Sequence, residues 1–330
     1  MNALRRYGVA VFALALLAAI GARLLLGSTG FGWPDAEIVH YRVAATASAA
    51  AVGAALAIAG LFLQVLLRNP LASPFVLGLS SGAGFGYMLA LFVAWRFQFE
   101  VTGAVAGVAG PVVAATLGSL ATLAIVWAIG TRRGVAEPVT LVLAGVVVSA
   151  IAAAGSTALQ SLVPAGLRGD FVGWMMGRIP DAPPRELLAV VAGLAIAGTA
   201  LGAWLGPALD ASSLSDDESL AIGVPLRPLR AALFVMAGVL AAATVALAGP
   251  IAFVGLVAPH LARLLLGARH RLLAIGASLA GAALLVAADA ARQGIDLGGG
   301  RLPVGVLTAL VGGPVFLWLL RSTPSMRGDQ

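Results

Sequence analysis

PALDASSLSDDESLAIGVPLRPLR, residues 207–230, is a polar island in an otherwise apolar chain. It holds four of the fourteen acids: Asp210, Asp216, Asp217 and Glu218. Its second half predicts a short helix with Ser215 as N-cap, because a side-chain oxygen there accepts from otherwise unpaired first-turn amides. The acids fall in the first turn, where the helix dipole favours them, and Gly223 then Pro225 supply the stop. On its own residues the stretch is either a docking element or a solvated loop joining two spans.

The flanking chain decides the fold class. Of 330 residues, 60% are hydrophobic and 10% charged, and the mean hydropathy is +1.01, far outside the range of soluble domains. The chain reads as an all-α, polytopic membrane protein. Its formal charge of +6 comes from arginine alone, and in such a chain basic residues report topology rather than nucleic-acid binding. The lack of cysteine excludes disulfides, thiolate metal sites and cysteine catalysis. Residues 1–26 resemble a signal peptide in their Arg5, Arg6 and apolar core, but the run continues through Leu26, long enough for a retained first span.

A bilayer core needs about 20 apolar residues per helix. Runs fall at roughly 8–27, 43–67, 75–95, 101–130, 139–163, 186–206, 231–248, 272–291 and 304–320, with a shorter tenth near 257–267. Ten spans place both termini in the cytoplasm. Twelve arginines then lie inside (Arg5, Arg6, Arg68, Arg132, Arg133, Arg227, Arg230, Arg263, Arg269, Arg271, Arg321 and Arg327), and the other eight lie outside or near that face. Ala49, Gly53 and Ala57 make a small-residue row suited to close helix packing, as do Gly276 and Ala280.

Two stretches break the pattern of plain spans. RNPLASPFVLGLSSGAG, residues 68–84, crowds prolines, glycines and serines into a region only partly outside the membrane. In GPIAFVGLVAPHLAR, residues 249–263, Gly249 and Pro250 are expected to end one helix and Pro259 to interrupt the next. Irregular backbone at membrane depth survives only against protein or a wet cavity, and broken helices are a usual feature of transporters.

In this order of polar punctuation the chain resembles the permease subunits of ATP-driven importers for iron siderophores, heme and vitamin B12. The resemblance runs from about residue 36 to 321. It rests on GAALAIAGLFLQVLLRNPLASPFVLGLSSGA (53–83), LAGVVVSA (143–150), WMMGRIP (174–180), SLSDDESLAIGV (213–224), GPIAFVGLVAPHLARLLLGARHRLL (249–273), AADAAR (287–292) and LPVGVLTALVGGPVFLWLL (302–320). It implies a single permease domain over 1–330 with the type II importer fold, in the bacterial inner membrane. It also implies a homodimer served by two ATPase subunits and a periplasmic substrate-binding protein. The segment 207–230 then holds the coupling helix, with Ser215, Asp216, Asp217, Glu218, Gly223 and Val224 at the motif positions that meet the ATPase. ATP and magnesium belong to that partner, and no cofactor is expected in this chain. Departures from the family pattern are Ser215 where glycine is usual, Leu220 where arginine is frequent, and Ala45 in place of a second outer arginine.

The same resemblance assigns further residues. Arg42 and Arg292 match outward-facing arginines that receive acids of the binding protein; on their own they read as an interfacial anchor and as an i, i+3 partner of Asp289. Asp289 reads as a structural pair with Arg292. Asn69 and Leu71 match the cytoplasmic constriction, although Asn69 and Pro70 also read as a plain turn. Near the neighbouring gate, where relatives carry hydroxyls, this chain has Ala136, Glu137 and Pro138. Ser149, Ala153, Ser156 and Gln160 share one helical face, which either lines the pathway or hydrogen-bonds to neighbouring helices. His260 reads as structural, His270 as part of a basic loop, and His40, at the outer mouth beside Tyr41, as a weak heme contact.

The motifs are shared by siderophore, heme and cobalamin permeases alike; the expected cargo is an iron chelate, heme or siderophore, because iron systems are the commoner, with cobalamin as the alternative. An ion-coupled secondary transporter is the competing class. It usually shows acids or histidines at the midplane, whereas Asp289 is the only acid inside a run, near its end, Glu186 standing at the first residue of another. Enzymatic readings lack their motifs. Without lysine there is no Gly-Lys-Ser/Thr phosphate loop, so ATP hydrolysis falls to another subunit.

Overall fold

Each predicted apolar run forms a helix in the structure, a computed structural model. It describes residues 2–27, 30–98, 104–132, 135–295 and 300–322, without the side chains of 2–6, 104–109, 132 and 318–322. The ten runs correspond to α1 (Asn2–Leu25), α2 (Ala36–Leu66), α3 (Leu79–Arg96), α4 (Ala104–Gly130), α5 (Pro138–Leu162), α7 (Arg185–Trp204), α10 (Leu226–Ala248), α11 (Val254–Leu266), α12 (His270–Gln293) and α13 (Val304–Ser322). Three shorter helices lie between them: α6 (Ala165–Met175), α8 (Gly206–Ala211) and α9 (Asp216–Ala221). Two hairpins of two-residue strands and a 3-10 turn at Pro74–Leu77 complete the described elements. Among the described residues seven helices are long and apolar enough to cross a membrane, while α11 and α13 are shorter apolar helices. Of the arginines used to assign topology, Arg133 and Arg327 lie outside the described residues, as do the side chains of Arg5, Arg6, Arg132 and Arg321.

Helix α2 is the hub of the bundle. Its most apolar window is 94% buried, against 22–28% for α1, α4, α5 and α7, so α2 is core and those four present large apolar faces outward. Lipid supplies no hydrophobic drive between helices, so burial of this kind needs close backbone contact. Glycine provides it. The backbones of Gly53 and Gly281 on α12 meet where a Cβ on either would overlap the other's carbonyl, and a Cβ on Gly60 would overlap the carbonyl of Gly255 on α11. The Ala49, Gly53, Ala57 row is therefore a packing seam, with both alanines fully buried.

Gly249, at φ +70°, ends α10 as expected, and Phe253 starts α11 from a left-handed conformation at φ +68°. Pro259, however, does not interrupt α11, which runs unbroken through it. Proline at this position frees the carbonyl four residues earlier. That carbonyl belongs to Gly255 and lies against Gly60, where the missing side chain leaves room for it. The non-helical residues 249–253 lie partly against protein: Gly249 meets the Trp174 carbonyl, and the Pro250 carbonyl lies against Gly177 and Gly305. Irregular backbone at depth needs such cover.

Gly60→Ala is therefore expected to destabilise the solubilised protein by about 1–3 kcal/mol, the usual cost of overpacking. Gly21→Ala in α1, where an added Cβ meets nothing, is expected to be neutral or to stabilise by at most about 1 kcal/mol. Thermal unfolding in mild detergent measures both; equal stability of the two variants would contradict the close approach.

Candidate functional site

The polar island folds largely as its residues dictate. Ser215 caps α9 in a reciprocal capping box: its Oγ accepts from the Glu218 amide at 3.3 Å, while Glu218 Oε2 accepts from the Ser215 amide at 3.0 Å and its hydroxyl at 2.7 Å. At the other end Gly223, at φ +87°, adopts the left-handed conformation that closes a helix. Its amide donates to the Leu220 carbonyl, and the Val224 amide reaches back to Ser219.

Three of the island's four acids are engaged within the chain. Asp210 Oδ1 accepts from the His270 amide at 2.9 Å and lies 2.6 Å from its Nδ1, which fixes the start of α12. Glu218 closes the capping box. Asp216 Oδ1 receives Nη2 of both Arg68 and Arg230, each at 2.7 Å. Asp217 makes no such contact and is exposed, together with Leu214, Leu220 and Ile222. Of the acids assigned to the ATPase surface, Asp216 and Glu218 thus have partners within the chain while staying at least partly exposed, and apolar side chains share that surface. Only the exposed positions of the motif, which the acids obscure in the sequence, mark this.

Partial burial pushes the Asp216 carboxyl up, but the hydrogen bond and charge of Arg230, joined by those of Arg68, outweigh it and hold Asp216 below its ordinary value. Glu218 is held low by hydrogen bonds from the Ser215 hydroxyl and amide.

The expected gate lies beside this cluster. Helix α2 ends in a Schellman pattern, with the Arg68 amide donating to Val65 and the Asn69 amide to Gln64. The left-handed position, usually glycine, is Arg68 at φ +46°. Its guanidinium also donates from Nε and Nη2 to the Ser212 carbonyl at 3.2 and 3.0 Å. Asn69 Oδ1 then accepts the Leu71 amide at 2.9 Å, so Asn69 and Leu71 form an exposed turn at the end of the hub helix.

The expected pathway face of α5 makes its side-chain hydrogen bonds within the helix. Ser149, Ser156 and Gln160 each donate to a carbonyl four residues earlier in α5 itself, not to a neighbouring helix. Ser156 is buried, and Ser149 sits where a Cβ on Gly78 would touch its Oγ. The exposed side of α5 is apolar, with Leu143, Val146, Val147 and Ile151. A cavity of about 420 Å³ lies beside the break between α10 and α11, walled by Phe75, Ser80, Met175, Met176, Pro250 and Leu310 among others. Ser80 Oγ is buried there without a hydrogen-bond partner.

At the opposite end of the bundle, Asp289 is fully buried and accepts from Arg292 Nε on its own helix and from Arg23 Nε on α1. The expected pair with Arg292 is present; the second partner, Arg23, was marked in sequence only by being a charge at the end of an apolar run. Arg42 is also buried: its Nη1 donates to the carbonyls of Leu24 and Gly32, and Gly27 leaves room for the guanidinium. The expectation of two outward-facing arginines is therefore not met for Arg42 and Arg292, because each is drawn inward by acceptors of its own chain. Arg42 does border a polar cavity of about 190 Å³ with Arg23, Arg301, Tyr41, Gln293 and Asp181, and Arg301 is its exposed cation. His40 is exposed, its ring 3.8 Å from that of Tyr41. His260 lies in α11 with Nε2 buried and unpartnered, while His270 is buried against Asp210 rather than free in a loop. Among the described residues no three histidine, aspartate or glutamate side chains are grouped to hold a metal ion.

Asp289→Ala strands two buried arginines and is expected to cost about 3–5 kcal/mol in thermal unfolding; an unchanged melting temperature would contradict the buried network. The lowered carboxyls make a pH prediction. Their stabilisation is present above the unfolded value near pH ~4 and fades as pH falls through the folded values. Hydrogen-exchange protection of the Ser215–Val224 amides is thus expected to hold from about pH 8 to 5 and to drop below about 4. Loss already near neutrality would contradict it.

Residues 9–322 match the model of the FecCD transport family. The chain is 37% identical over 272 residues to the hemin transport system permease protein HmuU of Yersinia pestis, covering 82% of this chain and 79% of that one. It is 38% identical over 278 residues to the vitamin B12 import system permease protein BtuC of Vibrio cholerae serotype O1, covering 83% and 79%. A solved inward-facing structure of a metal-chelate type ABC transporter superposes with a TM-score of 0.82 at 29% identity, covering 96% of this chain and 99% of the other. With its helices at the ten apolar runs, its capped polar segment and a match over residues 9–322, the chain belongs to the FecCD transport family.

Proposed function

We propose that the chain is the membrane permease of an ATP-driven importer that moves an iron chelate, heme or a siderophore, from periplasm to cytoplasm. The observation that carries this reading is α9, a helix locked at both ends that, with its flanking residues, presents Leu214, Leu220 and Ile222 outside the apolar spans. Fully burying such a side chain is worth about 1.5–3 kcal/mol, so a partner protein that covers all three is strongly favoured. An ATPase subunit of an importer is that partner. A second copy of the chain forms the other wall of the pathway, the substrate-binding protein docks at the end bearing Arg42 and Arg301, and both termini lie on the ATPase side.

The large cavity supports a chelate over a bare ion. Phenylalanine and two methionines give contact area to a bulky, wrapped metal complex without holding it tightly. A bare cation would need coordinating groups that the wall does not supply. The likeness to a hemin permease favours an iron complex, and cobalamin is the alternative through the likeness to a vitamin B12 permease. Proton or sodium coupling is disfavoured by Asp289, whose carboxylate is occupied by Arg23 and Arg292.

Purification of the tagged chain in mild detergent is expected to recover an ATPase subunit, and proteoliposomes of that complex with its binding protein are expected to accumulate hemin or a ferric siderophore only with ATP. Accumulation of cobalamin alone would shift the cargo. Absence of any ATPase, with uptake driven by a proton gradient, would overturn the importer reading.

A further inference from the structure

The carboxylate of Asp216 stands at a crossroads that neither a solvated loop nor a plain docking surface requires. It is the first residue of α9, and a single oxygen, Oδ1, receives guanidinium nitrogens from two distant parts of the chain. Arg68 terminates α2, one residue before the Asn69–Leu71 turn. Arg230 lies in the first turns of α10, and its Nη1 also donates to the Ala136 carbonyl at 3.3 Å, just ahead of α5. The ends of α2, α5 and α10 are thus joined to one short helix through a single acid.

Arg68 shows that the joint is built. A non-glycine residue at φ +46° is in a conformation that L-residues rarely adopt unless their surroundings hold them there. Here the guanidinium is fixed by Ser212 and Asp216 together, both in the segment that carries α9. Arg230 is buried to 7% exposure, so its charge is directed at Asp216 with little competition from water. Asp217, by contrast, has neither arginine.

We infer that Asp216 is a positioning residue: it ties the coupling helix to the ends of α2, α10 and α5, so that displacement of α9 is delivered to the Asn69–Leu71 turn. The partner's contact is left to Leu214, Asp217, Leu220 and Ile222. The inference rests on the importer reading above. If α9 is pushed, a rigid two-armed link moves the end of the hub helix with it; without the link, α9 shifts against a stationary bundle.

The test uses the complete transporter in proteoliposomes. Recovery of the ATPase with the unaltered chain checks the importer reading separately. In Asp216→Asn the ATPase is expected to remain bound, while cargo moved per ATP falls about tenfold; Asp216→Glu, which keeps the charge, is expected to recover part of the loss. Leu220→Ser with Ile222→Ser is expected to release the ATPase instead. Arg68→Gly tests the same joint from its other side. Glycine suits the left-handed backbone, so α2 still ends normally, yet coupling is expected to fall as in Asp216→Asn. Release of the ATPase by Asp216→Asn, or normal cargo per ATP in either single variant, would overturn the inference.

Discussion

Backbone contact at glycine sets the geometry on which everything else in this bundle depends. In lipid the apolar side chains of neighbouring helices gain nothing from avoiding the solvent, so helices hold together through close packing and satisfied polar groups. Gly53 against Gly281 and Gly60 against Gly255 bring α2 within backbone reach of α12 and α11. The second contact serves twice, since the Gly255 carbonyl freed by Pro259 is accommodated there. The hub helix held in this way runs out at Arg68, beyond both glycine contacts.

Charge is used differently at the two ends of the bundle. Around Asp289, two arginines and one acid are buried together, an arrangement in which any single loss is costly and which acts as a brace. Around Asp216 the acid is partly exposed while Arg230 is buried, so the connection sits at the edge of water next to a surface free to meet another protein. The first cluster fixes α1 to α12. The second fixes a short helix to the ends of α2 and α10, a connection that would serve as a lever.

The helices were legible in the sequence because their signals are local and repeated: ten apolar runs became ten helices, and Ser215, Glu218 and Gly223 announced a capped helix within nine residues. Helix α6 was missed, since its mixed composition resembles a loop and its stability comes from packing such as Trp174 on Tyr87. Side-chain destinations were less legible. Arg42 and Arg292 were read as outward-facing, but Leu24 and Asp289, the acceptors that pull them in, are fixed only by tertiary contact. Ser149 and Ser156 shared a helical face as expected, but periodicity does not say which neighbour that face meets. The assignment of the island's acids to a partner came from the motif alone, and nothing in the local pattern shows Arg68, about 150 residues away, reaching Asp216.

The absence of cysteine allows a direct measurement of the central claim, that coupling helix and gate turn move as one body. Leu71 and Ala221 are both exposed, so each can be replaced by cysteine and spin-labelled in one copy of the chain, and their separation followed by pulsed electron paramagnetic resonance in the assembled transporter. The account predicts one narrow distance distribution that is the same with and without ATP. A distribution that broadens or shifts when ATP binds, with Asp216 intact, would show that the helix moves independently of the gate.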